Sequence, residues 1–362
     1  MSSMGTTMAD EIIWPKEDVT RIPYQVYLDE KIYEREQEKI FRGPTWNYVG
    51  LEAEIPNPGD YKTTFVGDTP VVLNRDHKGN LNCFVNRCSH KGATICMDAC
   101  GNTRKFTCVY HAWTFNAQGD LEGVPFKNGI NGKGGMAPDF EMKDYSLQKL
   151  KVESLNGLIF ATFDHSLESV REYIGEEILR FTTRLFNGRP IRILGSQRQV
   201  VQANWKLFIE NTKDPYHASL LHLFVTSFGI DRLTQKGAIA MDAKGRHHVS
   251  YAYGDAEKKD ESYEKADLRT FQSEYTLSDP TLIKDWMEFE DGITLAINTI
   301  FPNLIVSQHR NVLSVRQVLP KAPDQFELVW TYFGYQDDTE EQIKMRVKQS
   351  NLVGPAGLIS ME

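Results

Sequence analysis

Long apolar runs are missing from this 362-residue chain. Its most apolar stretch, Gly157-Leu158-Ile159-Phe160-Ala161, is strand-length, well short of the roughly 18–20 residues that span a bilayer. The opening residues, MSSMGTTMADEII, hold neither a basic stretch nor an apolar core, so no secretory signal is expected. The expected location is the cytoplasm. Positive charge is in deficit: 41 Lys and Arg stand against 49 Asp and Glu, a net charge of −8. Such a chain is a poor general binder of nucleic acid or of an anionic membrane. Cysteine is scarce, five in all, and every one lies between Cys83 and Cys108. An odd number in one short segment argues against a disulfide scaffold and for a metal or cluster.

What is there is ordinary globular material, 41% hydrophobic and 25% charged. At about 150 residues per domain the length predicts two domains, with three as the upper case. Residues 1–44 read as a capped entry and a helix over Asp29 to Phe41, a segment expected to pack on the larger domain. Residues 45–163 alternate short apolar runs with turn signals such as Asn57-Pro58-Gly59-Asp60 and Gln118-Gly119-Asp120, the texture of a small all-β domain. Residues 164–362 mix helices (Leu167 to Phe186, Asn204 to Phe224, Thr339 to Leu352) with strands (Arg192 to Gln202, His247 to Tyr253, Ile293 to Ile300, Leu304 to His309, Val312 to Leu319, Phe326 to Tyr335). The expected class is α+β, with one antiparallel sheet covered by helices in the larger domain.

The strongest chemical signal is Cys88-Ser89-His90 followed by Cys108-Val109-Tyr110-His111. A Rieske [2Fe–2S] centre takes two thiolates on one iron and two imidazoles on the other, and two loops that each supply one Cys and one His meet that demand. The alternative is a Cys2His2 zinc site. Zinc fingers pair Cys with Cys and His with His, whereas each half here mixes the two. Cys83 reads as a buried strand residue; Cys96 and Cys100 read as parts of the loop between the halves.

A second signal is Glu210-Asn211-Thr212-Lys213-Asp214-Pro215-Tyr216-His217, followed by His222. Two His and one carboxylate with open positions suit a non-haem Fe(II) that binds O2. On a regular helix His217 and His222 would point about 140° apart. They can share a metal only where the helix bulges or ends between them. Asp214 reads as a helix cap with Pro215 at the first helical position.

Together the two motifs resemble the large (α) subunits of Rieske ring-hydroxylating dioxygenases. The likeness runs from about Trp14 to the end and includes Trp46-Asn47-Tyr48-Val49-Gly50-Leu51-Glu52, Asn204-Trp205-Lys206, Val109-Tyr110-His111-Ala112-Trp113-Thr114-Phe115 and Gly354-Pro355-Ala356-Gly357. The chain departs from the family at His90-Lys91-Gly92, where Arg is usual after the His. It departs again at its end. The resemblance puts the third iron ligand, a carboxylate, just past the Gly-Pro-Ala-Gly segment, and Glu362 matches the residue before it. The expectation is that the chain stops short of that ligand and of a C-terminal helix; Glu362 as a substitute ligand is the alternative.

The resemblance further implies that Cys88, His90, Cys108 and His111 hold the cluster and that His217 and His222 hold the iron. Asp214 would link His217 to His111 of a neighbouring subunit. It implies electrons from NADH through a flavin reductase, with or without a ferredoxin, a small β subunit and an α3β3 assembly. The wording Asp-Pro-Tyr-His-Ala-Ser-Leu-Leu-His is similar to the branch acting on aromatic carboxylates: terephthalate, salicylate, anthranilate and halobenzoates. Arg316, on one face with Val312, Ser314 and Val318, is then the candidate clamp for the substrate carboxylate, with an internal salt bridge as the other reading. Arg232, Lys236 and Arg246 are secondary candidates. His165, His247, His248 and His309 carry no motif and read as ordinary surface or core residues. Two other functions remain at this point: a Rieske electron carrier without oxygenase activity, and a zinc-binding interaction protein.

Overall fold

The computed structural model describes Ile12, Trp14 and residues 21–230, 235–254 and 262–359. Asp29 opens the entry helix Glu30–Glu36, its carboxylate accepting the Lys31 and Ile32 N–H groups; a wider π-type turn, Gln37–Phe41, follows. Glu36 ties this segment to the catalytic half, accepting from Trp205 Nε1 at 2.9 Å and Lys206 Nζ at 2.6 Å.

A seven-stranded antiparallel sheet is built from Asn47–Leu51, Leu158–Thr162, Lys149–Leu155, Leu81–Val85, Thr69–Arg75, Asp60–Val66 and Cys100–Asn102, in that spatial order. A three-stranded sheet, Phe106–Thr107, Thr114–Phe115 and Leu121–Gly123, stands beside it. Leu158–Thr162 is buried along its whole length. It sends Leu158 and Phe160 into one core and Ile159 and Ala161 into another, which is why it reads as an unbroken apolar run.

The second seven-stranded sheet, also antiparallel, runs Ile191–Val201, Gln325–Tyr335, Val312–Ala322, Leu304–His309, Ile293–Ile300, His248–Tyr253, Gly237–Met241. Helix Glu176–Leu185 packs Ile178, Leu179, Phe181 and Leu185 into the core beside it. The α+β expectation with an antiparallel sheet therefore holds. The two sheets meet through Asn303, whose amide pairs with both backbone groups of Tyr48, and through Gln317, which donates to Tyr48 O at 2.8 Å. The helix Glu340–Val353 is held by Arg346, whose buried guanidinium lies between Glu288 and Asp338. Among the described residues no helix is long and apolar enough to cross a membrane.

Several local expectations are corrected. The helix read over Leu167 to Phe186 is two, Val170–Ile174 and Glu176–Leu185, because Gly175 adopts φ +77° between them. Ser169 and Glu172 form the capping box that starts the first. The segment Asn204 to Phe224 is not one interrupted helix. It comprises Trp205–Asn211, Ala218–Leu221 and the start of Leu223–Ser227. The edge strand Gly237–Met241 went unread, its burial too weak to show an alternation. Cys100 begins a strand rather than lying in a loop.

His247, read from sequence as unremarkable, is fully buried. Its Nδ1 accepts the Phe301 N–H at 3.0 Å and its Nε2 lies 2.9 Å from Tyr173 O, to which it donates as the neutral tautomer. Burial holds its pKa down to about 4, partly offset by Tyr173 O and Asp242. Protonation would set a second N–H against that of Phe301. Because the folded pKa lies below the unfolded value of about 6.5, this contribution is present above pH 6.5 and is lost as pH falls towards 4. Denaturant titrations are expected to show stability lower by about 2 kcal/mol at pH 5 than at pH 7 through this group, and His247→Gln should flatten that part of the profile. An unchanged slope in the variant would assign the acid sensitivity elsewhere.

Candidate functional site

The two Cys–His halves fold into matched loops. Cys88 N–H donates to Ala93 O and Gly92 N–H returns to Cys88 O, both at 2.8 Å. Cys108 N–H donates to Trp113 O at 2.8 Å and Ala112 N–H returns to Cys108 O at 2.9 Å. The residue four past each cysteine has positive φ, +73° at Gly92 and +53° at Ala112, the left-handed turn that closes such a loop. The loops thus present their side chains in register. Both cysteines are buried. Burial pushes the Cys88 thiol up and the neighbouring Cys108 sulfur adds to it, while the His90 and Lys91 N–H groups act the other way. The His90 and His111 ring centres lie 4.6 Å apart, and His90 stacks on Trp113 at 4.7 Å. Burial and the neighbouring His111 and Lys91 lower the His90 pKa, and His90 Nδ1 is buried without a hydrogen-bond partner.

Two adjacent thiols below two adjacent imidazoles fit a cluster that takes sulfur at one metal and nitrogen at the other. Among the described residues no three such donors converge on one point, as a single zinc ion would require. Cys83 is buried in strand Leu81–Val85. Cys96 sits near the Tyr61 hydroxyl.

The second constellation is built where a helix stops. Ala218–Leu221 ends at His222, whose φ −89° and ψ 96° are extended, before Leu223–Ser227 begins. That break brings the His217 and His222 rings to 5.2 Å, which a continuous helix would prevent. Burial and His217 lower the His222 pKa. Asn211 Nδ2 lies 3.3 Å from His217 Nε2. Two imidazoles facing one cavity suit a mononuclear metal. Among the described residues no third donor joins them; Glu362 and the carboxylate expected after it lie outside the described residues.

Asp214 is not a helix cap. Helix Ala218–Leu221 starts four residues later, and Asp214 Oδ1 instead accepts the Tyr216 N–H at 2.8 Å in a local turn. Its other oxygen lies 3.3 Å from His217 Nδ1, and the side chain is 46% exposed. The carboxylate therefore stands beside the histidine, without a hydrogen bond to Nδ1, and is partly open to solvent.

Beneath the histidines opens a cavity of about 780 Å³, lined by His217, His222, His309, Arg316 and Trp330 among others. Arg316 is buried on the interior strand Val312–Ala322. Its guanidinium lies over Trp330 at 4.0 Å and donates from Nη2 to Ser307 Oγ at 3.3 Å. Nε is buried with no partner, and among the described residues Arg316 has no ion pair. Burial lowers its pKa to about 10, so it stays charged at neutral pH. The internal salt bridge considered from the sequence is absent among the described residues. Of the secondary candidates, Arg246 is turned away, its Nη2 donating to Tyr173 O at 3.1 Å. Lys236 does not line the cavity, and Arg232 lies outside the described residues.

His309, which carries no sequence motif, also lines the cavity. The signal was the alternation of Leu304–His309, which puts His309 on the face shared by Ser307 and Arg316.

Residues 45–140 match the Rieske [2Fe-2S] domain and residues 182–353 the ring hydroxylating alpha subunit (catalytic domain). The chain is 47% identical to the anthranilate 1,2-dioxygenase large subunit of Burkholderia cepacia, over 98% of this chain and 84% of that one. It is 46% identical to the terephthalate 1,2-dioxygenase terminal oxygenase component subunit alpha 2 of Comamonas sp, over 98% and 86%. It is 42% identical to the salicylate 5-hydroxylase large oxygenase component of Ralstonia sp, over 96% and 84%. In fold it resembles the crystal structure of naphthalene 1,2-dioxygenase from Rhodococcus sp., with TM-score 0.76 and 24% identity over 94% of this chain and 79% of that one. A catalytic domain of this kind rules out both a bare electron carrier and a zinc protein. The paired Cys–His loops, the two histidines over the cavity and these likenesses lead to one conclusion: the chain belongs to the Rieske ring-hydroxylating oxygenases, as a large (α) subunit with a [2Fe–2S] cluster and a mononuclear iron.

Proposed function

We propose that this subunit oxygenates an aromatic carboxylate, with Arg316 binding the carboxylate. The observation that carries the reading is a buried guanidinium without an acidic partner among the described residues, on the wall of the cavity that His217 and His222 also line. An uncompensated buried cation costs stability, and an anionic substrate offsets that cost. The large relatives named above act on anthranilate, terephthalate and salicylate, which supports the same class.

In this reading Cys88, His90, Cys108 and His111 hold the cluster, and His217 and His222 hold the iron with a carboxylate outside the described residues. When bound, the two centres supply electron transfer and O2 activation. The protein's own residues do the rest. Arg316 orients the ring, Trp330 supports the guanidinium, and the cavity wall excludes water. Asp214, with a carboxylate oxygen 3.3 Å from His217 Nδ1, would orient that ring and offer its exposed face to His111 of a neighbouring subunit. The segment 1–44 braces the catalytic half, 45–163 forms the Rieske domain and 164–362 the catalytic domain. Partners are a small β subunit in an α3β3 assembly and an NADH-dependent flavin reductase, with or without a ferredoxin, all in the cytoplasm.

The test is Arg316→Gln. A charge-assisted bidentate contact contributes about 1.5–3 kcal/mol, roughly ten- to a hundred-fold. KM for the carboxylate substrate should rise by that factor, while the neutral amide analogue changes little. The thermal midpoint should stay level or rise, since no ion pair is broken. Equal losses for acid and amide, with a lowered midpoint, would return Arg316 to a structural role.

A further inference from the structure

Beside Arg316 the cavity wall carries a second polar group. Strand register pairs Ile305 with Arg316, Ser307 with Ser314 and His309 with Val312. Paired and alternate residues share a face, so Arg316, Ser307 and His309 follow one another along a single side of the sheet. The Arg316 guanidinium reaches along that side as far as Ser307, and the Ser307 hydroxyl meets Ser314 Oγ at 2.8 Å. His309 stands one step beyond, about 7 Å further by strand geometry. Both His309 and Arg316 line the cavity of the two candidate iron histidines. Among the described residues none hydrogen-bonds the His309 ring nitrogens.

We propose that His309 is a specificity residue for the reaction. With the substrate carboxylate on Arg316, its imidazole hydrogen-bonds a hydroxyl or amino group on the ring carbon next to the carboxylate. This rests on the carboxylate reading above and narrows it to ortho-hydroxy or ortho-amino acids.

The chemistry matches on both sides. A neutral imidazole presents one N–H and one lone pair, and a hydroxyl or amino group can both donate and accept. Burial, with Arg310, Arg316 and His222 nearby, drives the His309 pKa down to about 3, which keeps the ring in that form. Two hydrogen bonds of about 2.8–3.0 Å, joined through a carboxylate and its ortho neighbour, span roughly the step from the guanidinium to the ring. The second carboxylate of terephthalate is para, across the ring from the position His309 reaches, so it gains nothing from this imidazole. Among the described residues the other guanidinium on this wall, Arg310, is held by Asp285 at 2.6 Å.

Binding to the iron-loaded oxygenase, without reductant, separates the possibilities. Calorimetry would compare benzoate, 2-hydroxybenzoate, 2-aminobenzoate and terephthalate. The wild type should bind the two ortho-substituted acids about tenfold more tightly than benzoate, the worth of one buried hydrogen bond. His309→Leu should erase that tenfold and leave the benzoate Kd within about twofold. His309→Gln, which keeps a donor and an acceptor, should retain most of the preference. A wild type without the preference, tightest binding of terephthalate, or an equal loss for all four acids in His309→Leu would overturn the proposal. Failure of the underlying reading looks different: no acid binds, or Arg316→Gln leaves every Kd unchanged, and both proposals then fall.

Discussion

Cys108→Ala and His111→Ala should each abolish the visible chromophore and the EPR signal of the one-electron-reduced protein. The two loops present one thiol and one imidazole apiece, and each loop is closed by its own pair of backbone hydrogen bonds. Removing a donor therefore does not release its loop to recruit another. Nor is a spare at hand: Cys83 is buried in its strand and Cys96 sits near Tyr61. Cluster binding is a matter of donor count, so iron and sulfide content should fall to background rather than by a fraction. Cys83→Ala is the control and should keep the full spectrum. Unchanged iron and sulfide in Cys108→Ala or His111→Ala would remove these residues from the cluster.

Asp214→Asn should leave both metal contents intact and slow turnover by about ten- to a hundred-fold, the usual effect of losing a carboxylate that orients a metal-bound histidine. Asparagine keeps an acceptor for the Tyr216 N–H, so the local turn survives. It loses the charge 3.3 Å from His217 Nδ1. The discriminating measurement is single-turnover oxidation of the reduced cluster by O2 with substrate present. His217→Ala is the companion: it should lose the iron while keeping the Rieske spectrum. Asp214 makes no capping bond, so the thermal midpoint of Asp214→Asn should hardly move. A normal single-turnover rate would leave Asp214 with only its turn.

Much of the site was legible because its chemistry is local. Cys88 and His90, and Cys108 and His111, are close neighbours in sequence, and a short loop is enough to aim each pair. The requirement that the helix end between His217 and His222 was also readable, because a fixed turn per residue forbids two such positions from sharing a metal. Only the capping reading of Asp214 fails: an Asp-Pro pair is a fair helix start, yet the helix begins only at Ala218.

Composition and spacing by themselves determined the candidate metal donors, the order of the two halves and the antiparallel character of the second; which metals they hold came from the family resemblance. These depend on donor type, short-range spacing and alternation. Which groups share the cavity was decided by the tertiary structure. Among the described residues no acid is folded against Arg316, and nothing near it in sequence reports that. His309 faces the same cavity because strand Leu304–His309 pairs in register with Val312–Ala322. His247 had no motif to mark it, yet packing sealed it against Tyr173 and Phe301. Burial and long-range pairing are properties of the packed chain, so a residue's solvation, charge state and neighbours are settled only when distant strands meet.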